Sequence, residues 1–154
     1  MSPDSPVPSV RPLVFGDIAA VVTLAASCPE AAQWTPSSYE MHFEDIRGWV
    51  APEQDRLIGF LALRVIEAAR EAEILNIAVE ARSRRKNFAT AMLDAAISYC
   101  SVRGVQAVFL EVRESNAGAI SFYKKHGFAI SGRRPGYYRN PDEAAISMAR
   151  SLAN

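Results

Sequence analysis

The sequence predicts a single mixed α/β domain. The chain of 154 residues is 49% hydrophobic and 22% charged, an ordinary globular composition that can bury a core without disulfides or metals. Two apolar segments with strand character, 57–66 and 71–79, should pair antiparallel. A segment with helical apolar spacing, 88–101, and a nearly continuous apolar strand, 105–112, follow them. The unit from 73 to 112 is therefore predicted to be a parallel strand–helix–strand crossover.

The chain is predicted to begin with a lead-in, a strand and a helix. Residues 1–9 carry three prolines in the first eight positions, so we expect them to be poorly ordered, and we assign 10–152 to the domain. A strand fits Val10–Phe15. Gly16-Asp17 should then cap a helix that runs from Ile18 to about Ser27.

A second helix and a short strand should precede the central strands. Thr35-Pro36 has the pattern of a helix cap followed by proline, and predicts a helix to about Glu44. Trp34 just before it either packs as a hydrophobic staple or lines a substrate pocket. Residues 47–51 fit a short strand, and 52–55 fit a turn.

The last part of the chain should alternate helix and strand. Gly104 is predicted to end the crossover helix at its C′ position, and Asn116 to cap a further helix that ends at Gly127. Two final strands fit Phe128–Arg133 and Ala144–Met148. The loop that joins them should contain Pro135, Gly136 and Pro141.

Charge is balanced in total but is distributed unevenly. Residues 1–81 contain five Lys or Arg and 12 Asp or Glu, whereas 82–154 contain 12 and five. The basic half suits an anionic ligand and the acidic half a cationic one, although solvated surfaces give the same counts. A neutral chain without a basic–aromatic motif does not favour nucleic acid.

Cysteine, histidine and hydropathy patterns favour a cytoplasmic protein without a metal. Cys28 and Cys100 form no CxxC pattern, and His42 and His126 are far apart in sequence, so neither a disulfide framework nor a zinc site is expected. The first residues resemble no secretory signal. The longest apolar run, Leu57–Leu63, is too short to span a membrane.

The basic segment before the crossover helix is a candidate anion site. Arg84, Arg85 and Lys86 stand where a strand gives way to a helix N-terminus, where backbone N–H groups and the helix dipole attract phosphate. Asn87 tolerates positive φ and can form the tight turn, and the small Ala89 allows close approach. The alternative is a solvated basic loop.

Three further positions suggest proton transfer or substrate contact, each with a structural alternative. Glu111 lies late in an apolar strand, and a carboxyl group partly removed from water suits a general base, but it also suits an ion pair with a neighbouring arginine. Tyr123 is able to donate a proton or to pack in the core. Tyr137-Tyr138 forms either a substrate wall or loop packing.

Taken together, these segments resemble the GNAT superfamily of acetyl-CoA-dependent N-acetyltransferases. The segment from Arg84 to Ala89 is similar to the superfamily's pyrophosphate motif, with Asn87 in place of its first glycine. The likeness is dense over residues 72–149, and it is greatest to the branch that acetylates the N-terminal alanine of bacterial ribosomal proteins. The stretches that carry it are Ile74–Val79, Leu110–Ala117, Ala119–Phe128, Tyr137-Tyr138 and Ala145–Ala149.

This resemblance implies a fold and a set of site residues. The fold is a mixed, mostly antiparallel central sheet with splayed central parallel strands, flanked by helices. Acetyl-CoA would lie between the strands that end near Val79 and Val112. Glu111 would take a proton from the amine, and Tyr123 would protonate the departing thiolate. The residues expected to bind the cofactor are Ile77, Ala78, Val79, Arg84, Arg85, Lys86, Asn87, Phe88, Ala89, Thr90 and Asn116.

The resemblance also implies an acceptor. We expect the N-terminal α-amine of a protein or peptide, such as a ribosomal protein, with Trp34, Tyr137 and Tyr138 in contact with it. The alternatives are an acetyltransferase for a small amine and a non-catalytic domain that binds acyl-CoA. Direct attack needs no metal, and we expect a monomer or weak dimer without contact to nucleic acid or membrane.

Overall fold

The computed structural model describes residues 8–29, 31–32 and 43–153, and confirms a mixed α/β fold. The strands follow the order β1-β2-β3-β4-β5-β7-β6, and within these described residues β4 and β5 form the one parallel pair. The strands and helices of the described residues are β1 Arg11–Pro12, α1 Ile18–Ala26, β2 Ile46–Glu53, β3 Arg56–Ile66, β4 Glu71–Val79, α2 Phe88–Val102, β5 Ala107–Arg113, α3 Ala117–Lys125, β6 Ala129–Tyr138 and β7 Glu143–Ser151.

The chain is divided into two compact units. The first comprises the described residues of Met1–Arg64 together with Leu75–Tyr99, and the second comprises Val65–Ile74 with the described residues of Cys100–Asn154. The single domain assigned to 10–152 stays a prediction, as does the lead-in, of which residues 1–7 lie outside the described part.

The core of the first unit lies between α1 and its strands. The apolar face of α1 contributes Val21 and Leu24, which pack with Val50 of β2 and Phe60 of β3. Each such side chain, once fully buried, stabilises the fold by about 1.5–3 kcal/mol. This burial explains why a helix of nine residues, short for one without tertiary support, is held at this position.

The start of the chain differs from the prediction. The strand expected over Val10–Phe15 is only two residues long, and a 3-10 turn begins at Phe15, the last residue of the predicted strand. Asp17 is the residue before α1, but its carboxylate makes no cap bond to that helix. It accepts hydrogen bonds from the Arg11 guanidinium at 2.8 and 2.9 Å and from the Val14 N–H at 2.9 Å. These bonds turn the chain early and end the strand.

The second predicted helix falls mostly outside the described residues. Its predicted start at Thr35-Pro36 cannot be compared, and its predicted end forms a 3-10 turn at Phe43–Asp45 instead. The short strand predicted at 47–51 is longer, because β2 pairs with β3 from Ile46 to Glu53.

The crossover unit agrees closely with the prediction. β4 has the predicted bounds, and its first three residues pair in parallel with Ala107–Phe109 of β5. This ladder ends before either strand does, as the predicted splay requires. Gly104 has a φ of +76°, and the N–H groups of Gly104 and Val105 donate to the carbonyls of Ser101 and Cys100. These two bonds form a Schellman motif that ends α2.

In the second unit, β5 pairs with β7 and β7 with β6. Val108 and Leu110 of β5 and Met148 of β7 are almost completely buried, whereas the alternate residues of β5 are partly exposed. The last strands are longer than predicted. Pro135 and Gly136 lie inside β6 rather than in a loop, at a register irregularity between Arg134 and Tyr138 that accommodates them.

Both cysteines are buried thiols, one in each unit. Cys28 packs among the apolar residues of the first core, and Cys100 lies in α2. Burial raises the pKa of the Cys100 thiol to about 11. Among the described residues, none of the helices has the length and apolar character that crossing a membrane requires.

Candidate active site

The Glu111 carboxylate has two oxygens in different environments. Glu111 lies on β5 opposite Ser147 of β7, and 21% of its side chain is exposed. Its Oε1 lies 3.1 Å from Nη1 of Arg134 on β6. Its Oε2 is buried and has no hydrogen-bond partner among the described residues. Burying a carboxylate oxygen without a donor is costly, which makes Glu111 a candidate for a chemical role.

A cavity of about 320 Å³ lies beside Glu111, with all of its lining in the second unit. Three carboxylates and one guanidinium line it, which gives it an excess of negative charge suited to a cationic ligand. The lining residues are Ile66, Glu71, Ala72, Glu73, Phe109, Leu110, Glu111, Arg134, Ser147 and Met148.

Tyr123 lies in α3 and is 3% exposed. Its ring packs edge-on against Phe122 and Phe128, at centroid distances of 5.3 and 5.4 Å. Burial raises the pKa of the Tyr123 phenol above its ordinary value, which makes the hydroxyl a weaker acid than an exposed tyrosine. Of the two roles that the sequence offered, the structure shows the core packing, and the role of proton donor stays a prediction.

Tyr137 and Tyr138 lie at the end of β6, not in the loop, and stack edge-on with ring centroids 5.0 Å apart. The guanidinium of Arg113 lies 4.5 Å from the Tyr138 ring, and that of Arg134 lies 5.6 Å from the Tyr137 ring. Burial, with smaller effects of nearby charges including Glu111, raises the pKa of Tyr138 to about 12. Tyr137 therefore contacts Arg134, the same arginine that contacts Glu111.

Asn116 caps α3, as predicted. Its side-chain oxygen accepts a hydrogen bond from the Ala119 N–H at 3.1 Å. Its predicted contact with the cofactor stays a prediction.

The predicted pyrophosphate loop lies in the first unit, directly before α2. Asn87 has a φ of +67°, which confirms the predicted left-handed turn, and Arg85 has a φ of +66°, which the sequence did not indicate. Residues 84–87 are exposed, and the Ala91 N–H donates to the Asn87 carbonyl in the first turn of the helix. Exposed cations before a helix of 15 residues form a suitable anion site.

The strand that precedes this loop supplies the other predicted cofactor contacts. Ile77, Ala78 and Val79 end β4, and the Val79 carbonyl accepts a hydrogen bond from Nε of Arg84 at 3.0 Å. Arg84 therefore ties the loop to the strand end. Phe88, Ala89 and Thr90 form the first turn of α2. Trp34 lies outside the described residues.

The cavity is also lined by residues that the sequence did not indicate. Arg134, Glu71, Glu73 and Ser147 all line the cavity beside Glu111. For Arg134 the sequence holds a partial signal. Consecutive residues of a strand point to opposite faces, so Arg133 and Arg134 should have different partners, and they do bind different carboxylates, Glu114 and Glu111.

Comparison with known proteins identifies the class. Residues 18–128 match the acetyltransferase (GNAT) family, a stretch that includes the loop before α2, Glu111 and Tyr123. The chain belongs to this family and is an acetyltransferase, as the sequence predicted.

The chain is similar to several named acetyltransferases. A protein of Haemophilus ducreyi named ribosomal protein bS18-alanine N-acetyltransferase is 35% identical over 103 residues, which cover 65% of this chain and 70% of that one. A protein of the same name from Escherichia coli K12 is 42% identical over 85 residues, covering 54% and 57%. The crystal structure of the ribosomal-protein-S18-alanine N-acetyltransferase from Escherichia coli matches with a TM-score of 0.83 at 28% identity, covering 95% of this chain and 94% of that one.

Proposed function

We propose that this enzyme transfers an acetyl group from acetyl-CoA to the N-terminal α-amine of a protein or peptide. The observation that carries the proposal is the buried Oε2 of Glu111, which has no donor among the described residues and belongs to a group lining an acidic cavity. The relatives named ribosomal protein bS18-alanine N-acetyltransferase support a protein acceptor.

In the proposed reaction, the amine nitrogen of the acceptor attacks the thioester carbonyl. The new N–C bond forms, the C–S bond breaks, and the surplus proton of the nitrogen passes to Glu111, directly or through a water molecule. Tyr123 gives its proton to the departing sulfur, because a phenol that stays protonated at neutral pH is available as a donor. No covalent enzyme intermediate is formed.

We propose that the loop before α2 holds the pyrophosphate of acetyl-CoA. Arg85 and Lys86 are exposed there, and the left-handed turns at Arg85 and Asn87 lead directly into the helix N-terminus. Both features suit a polyanion. We also propose a cytoplasmic location, which the two buried thiols favour.

An α-amine is the acceptor best matched to one carboxylate base. Its ordinary pKa is about 7.7–8.0, against about 10.4 for a lysine side chain, so much less driving force is needed to expose its lone pair. The negative cavity attracts the ammonium form of either amine, and the base then selects the one that loses its proton more easily.

The test combines an acceptor panel with variants. Purified protein and acetyl-CoA are mixed with an alanine-starting ribosomal peptide, an N-blocked peptide that contains lysine, and small amines, and the products are read by mass spectrometry. We expect acetylation of the free N-terminus and not of the blocked peptide. Acetylation of small amines alone would contradict the proposed acceptor and favour the alternative of a small-amine acetyltransferase.

The variants test the catalytic roles. Glu111→Gln should lower kcat about 100-fold or more and Tyr123→Phe at least about tenfold, because each removes one proton transfer. Acetyl-CoA affinity, measured by calorimetry, should change little. Glu114→Gln is the control, since Glu114 lies on the same stretch but binds Arg133. Full activity in Glu111→Gln or Tyr123→Phe would contradict the mechanism.

A further inference from the structure

The Arg113 guanidinium connects β5 to the loop between β6 and β7, residues 139–142, which we call the hairpin loop. Its Nη1 donates to the Pro141 carbonyl at 3.0 Å, and its Nη2 donates to the Arg139 carbonyl at 3.1 Å. Because β5 has a neighbouring strand on each side, these two bonds fasten the hairpin loop to the interior of the sheet.

The two residues that flank the hairpin loop contact the same guanidinium. Tyr138 is the last residue of β6, and its ring centroid lies 4.5 Å from the guanidinium carbon. Glu143 is the first residue of β7, and its Oε1 accepts a hydrogen bond from Nη1 at 3.2 Å. Its Oε2 accepts a hydrogen bond from the Ser115 N–H, just after β5. Arg113 therefore contacts both ends of the loop as well as the loop itself.

This arrangement lies next to the candidate active site. Arg113 comes two residues after Glu111 on β5, so alternation places both side chains on the partly exposed face of that strand. Tyr138 lies close enough to Glu111 that the charge of the carboxylate contributes to the raised pKa of the phenol. An acceptor bound beside Glu111 therefore has Tyr138 and the hairpin loop as its neighbours.

We propose that Arg113 is a positioning residue of the acceptor site: it holds the hairpin loop and Tyr138 in the arrangement that binds the acceptor. This inference rests on the proposed function, because it takes Tyr138 as part of the acceptor site. The shape of the guanidinium matters more than its charge, since two of its partners are neutral carbonyls. A planar fork of donors reaches both of them at once.

Three variants separate the shape of the guanidinium from its charge. Arg113→Ala removes every contact, whereas Arg113→Lys keeps a positive charge near Glu143 but cannot reproduce the fork to the two carbonyls. Arg139→Ala is the matched control. The Arg139 side chain pairs with Asp142 at 3.5 Å, and the two are 73% and 71% exposed. The control therefore removes a positive charge from the loop but keeps the backbone carbonyl that Arg113 binds.

The first measurement is limited proteolysis with trypsin, which needs no acceptor. Trypsin cleaves after arginine, and the carbonyl of the bond after Arg139 is the one that accepts from Nη2 of Arg113. Arg113→Ala and Arg113→Lys should each speed cleavage there about tenfold, because the loop opens more often. Cleavage after the exposed Lys86, in the first unit, should keep its rate and serves as the internal reference. Mass spectrometry identifies the fragments, and unfolding midpoints confirm that each variant is folded.

Activity gives the second measurement, with whichever amine the unmutated enzyme acetylates. Arg113→Ala and Arg113→Lys should raise the acceptor KM about tenfold, with kcat and the KM of acetyl-CoA changed less than about threefold. Arg139→Ala should leave all three near their unmutated values. A role confined to stability would instead reduce the folded fraction, and so lower kcat at an unchanged acceptor KM.

Three results would overturn the proposal: an unchanged acceptor KM or an unchanged cleavage rate in Arg113→Ala, full recovery of both in Arg113→Lys, or an equal rise in acceptor KM in Arg139→Ala. Failure of the proposed function is a different result, because it would appear as no peptide acetylation by the unmutated enzyme. The cleavage rates do not depend on that outcome.

Discussion

Asn87 is the residue whose backbone conformation was predicted most directly. Asparagine is one of the few residues other than glycine that adopt the left-handed region readily, and its φ of +67° agrees. Arg85 adopts the same left-handed region, although arginine is not a residue type that favours it. The difference shows the limit of residue propensities: they identify a residue suited to a strained turn but not one that its surroundings hold there.

We expect the identity of residue 87 to matter for stability through its backbone. Asn87→Ala should lower the free energy of unfolding by about 1 kcal/mol, because a Cβ without a compensating polar group is disfavoured at positive φ. Asn87→Gly should stay within about 0.5 kcal/mol of the unmutated protein, since glycine adopts this region freely. Urea unfolding measures both.

The neighbouring Lys86→Ala is the control, because Lys86 is not among the residues with positive φ. It should change stability by less than about 0.5 kcal/mol. Equal stabilities for Asn87→Ala and Asn87→Gly would show that the turn does not depend on the left-handed conformation.

Glu111 was found from the sequence, whereas its partner was not. Strand alternation and the family resemblance single out a carboxylate late in β5. The contact with Arg134 depends on the register between β5, β7 and β6, which places Gly132 and Arg134 beside Ser147 and Glu111. Such long-range pairing cannot be read from residue spacing alone.

At the scale of elements, local signals succeeded where they agreed with packing. The apolar run of β4 and the helical spacing of α2 gave bounds correct to within one residue. β6 was predicted to end five residues too early, because Pro135 and Gly136 indicate a turn whereas pairing with β7 carries the strand past them. β1 was predicted too long, because the carboxylate of Asp17 turns the chain.

The turn at Asp17 makes stability depend on pH. The hydrogen bond from Arg11 is the main cause that lowers the pKa of Asp17 from its ordinary value of 3.8, against the opposing effect of burial. Its stabilisation is fully present above that value and is lost as the pH falls through the lowered pKa of the folded state. Asp17→Asn should therefore cost about 1–2 kcal/mol at pH 7.

The cost should begin to shrink below pH 3.8, where Asp17 becomes protonated in the unfolded chain, and should disappear once the pH is below the lowered pKa of the folded state. Asp94→Asn is the control, because Asp94 is exposed on α2. A constant difference between Asp17→Asn and the unmutated protein from pH 7 to pH 2 would contradict the proposed ion pair.

At the scale of the whole molecule, the fold redistributes the charge that the sequence separates. The acidic half of the sequence contains Glu71 and Glu73, yet both belong to the second unit, beside Glu111 and Arg134 of the basic half. Conversely, the cations before α2 come from the basic half of the sequence, yet they belong to the first unit. The charge balance of the two halves of the sequence therefore predicts a site for an anionic ligand and a site for a cationic one, but it does not predict which residues line each site.

The two buried thiols can be used to measure how often the fold around them opens. A thiol reagent reacts with the thiolate of an accessible cysteine, so Cys28 and Cys100, at 1% and 0% exposure, should be labelled only when the chain around them opens. Because β3, β4 and α2 each have residues in both units, we expect one common opening and equal labelling rates in Cys28→Ala and Cys100→Ala, after correction for intrinsic reactivity. A faster rate at one thiol would identify the unit that opens first, and repeating the measurement with acetyl-CoA would show whether the proposed co-substrate protects either thiol.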